Sequence, residues 1–596
     1  MPGGRAALAP RPRGGPPLVH RPVPHRARGR RVRRHQGPAA RRQPVARRTG
    51  GLLALAGRRR KPPARPGGRA RRRHGRRADR RGRAELAVRG SPARPRRAAR
   101  RGPRHRAGQP PPGASRPRRA DARSPRAGAA GPMSDRRIET DIAVRAADGV
   151  SLVGDLFLPA RTPAPVVVLR TPYGAAGAWP QAAALADHGV AAYVQDLRGR
   201  HRSGGTFTLG RDEGSDGAAT HDWVSTRPWC DGRVLLAGTG YEAFAAWCAA
   251  NHPAVWAVAS RQPWPVLGTP PLDEELWWRT ELATGPAVRP GLFELAFALD
   301  PGLGADLGDP ALPERWPAPV GPWPPEPDAF GTRARDVARR VRATSVPTLH
   351  VGSWFCRSAE TTLSHAALAA DPTVVIGGWA SPLTHRLSPE CAIAVPDEPD
   401  ADDLMLSWLA TLARGGKWTD ARRCLVLGAG WRDRDPCPPA RAPYRQEPLA
   451  ADRTVLVHDP ADPFPSLPHS ADLAAVADRD DVVRLTAEGP LSWHGSALLA
   501  VTVRAERPVE LVATLVHERA DGVRVRLGDG TAALPGGTGR AELRLPPVAA
   551  ALPAADRLHV ELTAGRVPRR RAPREPARYE IEPRPLRLPQ PAAEEA

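Results

Sequence analysis

The pattern of hydrophobic and polar residues differs between regions of the chain. From about residue 138 to residue 420, short continuous apolar runs alternate with segments of helical period. Continuous apolar runs that end at turns are typical of strands buried on both faces of a sheet. Strands and helices in alternation predict a doubly wound, parallel sheet with helices on both faces. The runs are PVVVLRTPYG, AAYVQDLRGR, GRVLLAGTG, VWAVAS, VPTLHVGSWF and PTVVIGGW.

Three other patterns flank or interrupt this alternation. The stretch IAVRAADGVSLVGDLFLP predicts a hairpin that turns at Asp148-Gly149. Residues 263–342 are rich in Trp and Pro with helical pieces, which indicates a helical cap inserted in the sheet domain. After Arg422, short alternating strands separated by Pro and Gly turns predict a β-sandwich.

Charge is concentrated at the N-terminus. The chain carries a net +29, but 40 Arg and one Lys precede Met133 against three acidic residues, and the remainder is mildly acidic. Residues 1–132 are mostly Arg, Pro, Gly and Ala and cannot bury enough apolar surface to fold, so we predict disorder. Met133 resembles an ordinary start, and we favour a mis-assigned start over a nucleic-acid-binding tail. A tail that is made would bind polyanions in a salt-sensitive way.

Cysteine use and hydropathy limit the partners. The six cysteines have no C-x-x-C spacing and no zinc-like clustering with His, so we predict no metal and no cofactor. The apolar run at 51–57 is too short to cross a membrane, and its position after two arginines makes only a weak export signal. We therefore expect a cytoplasmic protein without a membrane partner.

Several motifs in fixed order carry a resemblance to a known family. They are DGVSLVGDLFLP, RTPYG, YVQDLRGRHRSGGTF, HDWVSTRPWCDGRV, GTGYEA, VGSWF, VIGGW and HDPADPFPSL. Over about residues 138–570 the chain resembles the cocaine-esterase and X-Pro dipeptidyl-peptidase family of serine hydrolases. The resemblance implies an α/β-hydrolase core at 133–262 and 343–420, a cap at 263–342, a jelly-roll at 421–585 and a tail at 586–596.

The resemblance also assigns the catalytic positions, and none of them holds the expected residue. A nucleophile elbow presents a Ser on a strained strand–turn–helix, but GTGYEA has Gly240 at that position. Cys356 occupies the position of the acid in GSWFCRS, and Ser381 occupies that of the base in GGWASPLTH. His385 lies four residues further on and could act as a shifted base.

The oxyanion donors match the family better. Tyr173 in RTPYG corresponds to the tyrosine hydroxyl that the family uses, and the backbone N–H of Tyr241 follows the nucleophile position. Such donors could still bind a carbonyl or carboxylate oxygen. Tyr173 could equally be a half-buried core tyrosine.

These observations are compatible with three alternative functions. The favoured one is an inactive or weakly active homologue that keeps a pocket for a small ester, amide or peptide-like ligand. The second is an active esterase or dipeptidyl-peptidase with a relocated catalytic group, such as Cys356 with His385. The third is polyanion binding by the Arg-rich segment. A homodimer through the cap or the jelly-roll is compatible with the sequence, and nothing in it requires one.

Overall fold

A computed structural model describes most of the chain after residue 135. The described ranges are 136–264, 329–379, 399–420, 422–438, 442–467, 471–567, 570 and 572–591. All of them belong to the second of two compact units, Ala120–Ala596. The predictions for 1–132, for most of the cap, and for Ser381 and His385 fall outside these ranges.

A ten-stranded sheet forms the first half of the described chain. Its strand order is β1-β2-β4-β3-β5-β6-β7-β8-β9-β10. The strands from β3 to β9 run parallel, and β1, β2 and β10 join the edges antiparallel. The strands are β1 (Arg137–Arg145), β2 (Ser151–Leu158), β3 (Ala164–Thr171), β4 (Ala191–Asp196), β5 (Cys230–Thr239), β6 (Val255–Arg261), β7 (Thr348–Ser353), β8 (Pro372–Gly377), β9 (Arg422–Val426) and β10 (Gly430–Arg432).

Helices cover both faces of this sheet. Every residue of β3 is buried, as its uninterrupted apolar run predicts. A separate apolar cluster fills each side of the sheet. Val337 and Val341, which lie one helical turn apart, pack in one of these clusters. The described helices are α1 (Trp179–Asp187), α2 (Glu213–Ser225), α3 (Tyr241–Cys248), α4 (Ala329–Ala343), α5 (Ala359–Leu368) and α6 (Ala401–Ala413).

Two further sheets follow and pack face to face. The six-stranded sheet runs β11-β21-β15-β20-β13 with β18 paired to β15, and the five-stranded sheet runs β12-β14-β19-β16-β17. Their inward side chains form one apolar cluster, for example Leu499 and Val501 with Leu485 and Leu515. This arrangement is a β-sandwich, so the predicted α/β plus β fold class is confirmed.

The bounds of the sandwich strands follow. They are β11 (Tyr444–Glu447), β12 (Ala450–Ala451), β13 (Val455–His458), β14 (Val483–Glu488), β15 (Leu491–Ala505), β16 (Val509–Glu518), β17 (Arg524–Leu534), β18 (Gly537–Leu552), β19 (Arg557–Ala564), β20 (Ala577–Pro583) and β21 (Leu586–Pro589).

The sandwich and the end of the ten-stranded sheet share a core. Trp354, which follows β7, is 1% exposed and donates its indole N–H to the Leu425 carbonyl oxygen at 2.6 Å. Arg544 of β18 contacts Glu360 of α5 at 3.3 Å. Among the helices that the structure describes, none has the length and apolar character to cross a membrane.

Candidate functional site

Gly240 lies at the sharp turn between β5 and α3. Its φ is 61° and its ψ is −117°, a conformation that glycine adopts more readily than other residues. Its N–H donates to the Arg261 carbonyl oxygen at 3.0 Å, and its own carbonyl accepts from the N–H groups of Phe244 and Trp264 at 3.2 and 3.1 Å. The turn is therefore held on both sides by the backbone.

The space around this turn differs between its two glycines. A Cβ added to Gly238 would lie 2.4 Å from the Glu242 carbonyl carbon, because the first turn of α3 crosses the strand there. A Cβ added to Gly240 would meet no heavy atom within 4 Å among the described residues. Gly238 is thus required by close packing, whereas the Gly240 position has room for a side chain.

Tyr241 begins α3, and its side chain anchors the turn to the core. The ring is fully buried, and its hydroxyl donates to the Glu213 carboxylate and accepts the Gly210 N–H at 2.8 Å. Burial raises the pKa of the Tyr241 phenol well above its ordinary value and also raises the pKa of Glu213. The Tyr241 side chain therefore serves packing, and the predicted role of its backbone N–H stays a prediction.

Arg170 completes the buried network under the turn. Its guanidinium donates through Nε to Gln195 Oε1 at 3.1 Å and through Nη1 to the Glu213 carbonyl oxygen at 2.6 Å. Arg170 is 3% exposed and Glu213 is 5% exposed, so these hydrogen bonds offset part of the cost of burying the guanidinium. The sequence motifs contained these residues, but their pairing is a tertiary contact that no local pattern indicates.

Tyr173 lies in the loop after β3, the strand beside β5. It is half-buried, packs against the apolar cluster of the first sheet face, and donates its N–H to Thr171 Oγ1 at 3.1 Å. Since the carboxyl ends of neighbouring parallel strands meet at one edge, Tyr173 and Gly240 occupy the same edge of the sheet. The structure brings these two predicted positions together.

The motif DLRGRHRSGG supports the Tyr173 loop. Arg200 Nε and His201 Nε2 both lie 3.0 Å from the Pro172 carbonyl oxygen, so the histidine carries its proton on Nε2. Fully buried Asp196 accepts the Ala175 N–H at 2.7 Å. Burial lowers the pKa of His201. These side chains hold the loop in place. The motif is identified from the sequence by its resemblance to the family, which does not predict this role.

Cys356 follows β7 at the same edge of the sheet. It is half-buried, its Sγ lies 3.1 Å from Ser358 Oγ, and its carbonyl accepts the Ala359 N–H at 3.0 Å. Trp354 and Phe355 before it are buried. The thiol thus has a local hydroxyl contact in the turn that starts α5.

Two of the predicted positions, Ser381 and His385, lie outside the described residues. Within the residues that are described, no group of three or more His, Cys, Asp or Glu side chains could hold a metal ion.

Comparison with known proteins agrees with this architecture. Residues 148–268 match the family model described as X-Pro dipeptidyl-peptidase (S15 family). Cocaine esterase from Rhodococcus sp. (strain MB1 Bresler) is 26% identical over 478 residues, which cover 66% of this chain and 82% of that protein.

Two solved structures share the fold over most of the chain. An aminopeptidase from a marine sediment Thaumarchaeota archaeon aligns with a TM-score of 0.61 at 18% identity, covering 78% of this chain and 99% of that one. An α-amino acid ester hydrolase aligns with a TM-score of 0.61 at 16% identity, covering 79% and 99%. The chain is therefore similar to the X-Pro dipeptidyl-peptidase (S15) family over residues 148–268 and to cocaine esterase over most of its length, and it shares their fold.

Proposed function

We propose that this chain is an inactive or nearly inactive member of the family that keeps a binding site for a small ester, amide or peptide-like ligand. The observation that carries the proposal is Gly240 at the turn between β5 and α3, where its φ of 61° and ψ of −117° suit a nucleophile elbow. A residue without a side chain cannot attack a carbonyl carbon, so no acyl-enzyme can form at this position.

The acid position supports the same conclusion. A carboxylate in a triad holds the imidazole in the correct tautomer and stabilises the imidazolium that forms. Cys356 has no carboxylate, and its Sγ lies 3.1 Å from the Ser358 hydroxyl. A cysteine at this position therefore lacks the group that performs that task.

Ligand binding is supported by the way in which the Tyr173 loop and the Gly240 turn are held. The Tyr173 loop is fixed by Arg200 and His201, and the Gly240 turn is fixed by backbone hydrogen bonds on both sides. Donors that are held rigidly need no reorganisation to receive a carbonyl oxygen. The relatives' names refer to esters and peptides, which favours a ligand of that class.

The competing proposal is an active hydrolase with a relocated catalytic group. It requires a thiolate and an imidazole within hydrogen-bond reach of each other, and Cys356 with His385 is the pair that the sequence offers. A single substitution at either residue separates the two proposals.

The test restores the triad by Gly240→Ser, Cys356→Asp and Ser381→His in the full chain. Turnover of p-nitrophenyl acetate and of X-Pro p-nitroanilides is measured beside the parent. We expect no turnover above the buffer rate in the parent and at least about a 100-fold gain in the triple variant, since triad residues act as a unit worth about 10⁶-fold.

The matched control is the double variant with Cys356→Asp and Ser381→His that keeps Gly240. It should remain as inactive as the parent because the nucleophile is still absent. Turnover in the parent that disappears in Cys356→Ala or His385→Ala would refute inactivity and establish the relocated group.

A further inference from the structure

A cleft lies between α5 of the hydrolase half and the outer face of the six-stranded sheet. Its volume is about 450 Å³, within the range of small-molecule sites. One face of α5 lines it through residues spaced three or four apart, Glu360, Leu363, Ser364 and Ala367. The opposite wall of the cleft is formed by residues of the β-sandwich. None of the described residues that line the cleft belongs to the turn at Gly240.

The floor of the cleft is buried and largely apolar. Leu363, Pro547 and Pro589 are buried, and half-buried Pro438 closes one side. Gly495 has a φ of 128°, and a Cβ there would lie 3.2 Å from both Pro438 and Pro589. Rigid, apolar proline rings surround a position without a side chain, which leaves a narrow apolar surface that fits a planar ring.

One polar group in this floor has no partner among the described residues. Ser496 is 6% exposed and lines the cleft, and its hydroxyl makes no hydrogen bond to any residue that the structure describes. The β15–β18 ladder shifts register between Ser496 and Leu498, opposite Pro547, which has no N–H to donate. A buried hydroxyl without a partner is unfavourable, and a ligand atom in the cleft would relieve that cost.

The charges at the rim neutralise each other. Glu360 and Arg544 are about half exposed and lie 3.3 Å apart across the mouth. His494 beneath them is fixed by Arg434 at 2.7 Å and by the Pro436 carbonyl oxygen at 2.9 Å. Neither the rim nor the floor presents an excess of charge, so the site does not select a charged ligand.

We infer that this cleft is a second binding site, distinct from the site at Gly240, for an uncharged ring compound with a single hydroxyl or carbonyl group. The ring would lie among Pro438, Pro547 and Pro589, and the polar group would bond to the Ser496 hydroxyl after a rotation of that side chain. The inference rests on the geometry of the cleft alone and does not require the proposed function.

The test measures 2-naphthol binding to the full chain by fluorescence titration at neutral pH. The parent should bind with a Kd on the order of 0.1–1 mM, as expected for a fragment of this size. Ser496→Ala should weaken binding about 2- to 10-fold, since it removes one hydrogen bond. Its matched control is Ser492→Ala in the same strand but outside the cleft, which should bind like the parent.

A blocking variant locates the probe. Ala367 is exposed on α5 at the rim, so Ala367→Trp should obstruct the cleft and abolish binding without disturbing the core. Ala370→Trp, exposed just after α5, should leave the Kd unchanged. Absence of binding to the parent, or equal binding to Ala367→Trp, would overturn the inference. Unchanged binding to Gly240→Ser would support the separation of the two sites.

Discussion

The layer beneath the turn at Gly240 and the proposed catalytic positions above it are built differently. Below, Arg170, Glu213 and Tyr241 form a buried network, in which Arg170 donates to the Glu213 carbonyl oxygen and Tyr241 donates to the Glu213 carboxylate. Above, Gly240 has no side chain, and the Cys356 Sγ lies 3.1 Å from Ser358 Oγ in the turn that starts α5. Under the proposed function, groups needed for folding persist where groups needed only for chemistry are replaced.

The physical reason is that substitutions in the two regions change the free energy of unfolding by different amounts. A buried ion or phenol that loses its partner destabilises the whole domain. A triad residue at the edge of the sheet contributes to a transition state and little to folding. Replacement of a strained Ser by Gly even relieves backbone strain, because glycine accepts a positive φ.

The largest expected effect is acid instability of the core beside α3, where two buried histidines contribute together. His350 is fully buried, stacked on Trp247 of α3, and burial lowers its pKa to about 3; burial likewise lowers the pKa of His365 to about 4. Each folded-state pKa lies below the unfolded value near 6.5, so this stability is complete above pH 6.5 and is lost as pH falls toward 4 and 3. At pH 4.5 we expect a loss of about 2–3 kcal/mol for each histidine.

Urea unfolding of His350→Asn and the parent at pH 7 and 4.5 tests this expectation. The difference in free energy of unfolding between the two should shrink by about 2–3 kcal/mol at the lower pH. The exposed His188→Asn variant is the control and should follow the parent. A difference that is independent of pH would contradict the burial argument.

The next effect concerns Arg170. Arg170→Met removes the guanidinium from a buried site and leaves Gln195 Oε1 with the Thr220 hydroxyl as its remaining donor, and we expect a loss of about 3–5 kcal/mol in the free energy of unfolding. Arg136→Met, which removes an exposed pair with Asp187, should cost about 0–1 kcal/mol. Equal costs for the two substitutions would refute the special status of the lower layer.

A smaller effect is expected at Gly238. Gly238→Ala places a Cβ 2.4 Å from the Glu242 carbonyl carbon, and backbone must shift to admit it. The expected loss is about 1–3 kcal/mol by chemical denaturation. The control is Gly177→Ala, where the added Cβ meets nothing within 4 Å and stability should change little.

The smallest expected loss of stability is at Gly240, the proposed nucleophile position. Gly240→Ala has space for its Cβ and carries only the strain of a φ of 61°, so it should cost about 1 kcal/mol. Ester turnover should stay at the buffer rate in both the parent and the variant. A loss as large as that of Arg170→Met would mean that Gly240 belongs to the folding layer.

Sequence alone predicts the fold because the fold depends on local patterns. The continuous apolar run of β3 identifies a strand buried on both faces, and Asp148-Gly149 identifies the first hairpin, where Gly149 has a φ of 83°. The turn at Gly240 follows from a strand and a helix that meet without a linker. Each of these signals lies within a few neighbouring residues.

The site is predicted less completely because its contacts join distant residues. The sequence suggested Tyr241 for its backbone N–H, whereas its side chain is committed to Glu213, 28 positions earlier. The support of Pro172 by Arg200 and His201 also depends on a loop that folds back on another strand. Ser381 and His385 lie outside the described residues, so their assignment stays a prediction.

The central claim is that the parent chain cannot form an acyl-enzyme. The most direct measurement is intact mass of the full chain after rapid mixing with p-nitrophenyl acetate and acid quench, with the Gly240→Ser, Cys356→Asp, Ser381→His variant alongside. The account predicts no acetyl adduct on the parent and one acetyl group at position 240 of the variant. A stoichiometric adduct on the parent, at Cys356 or any other side chain, would contradict it.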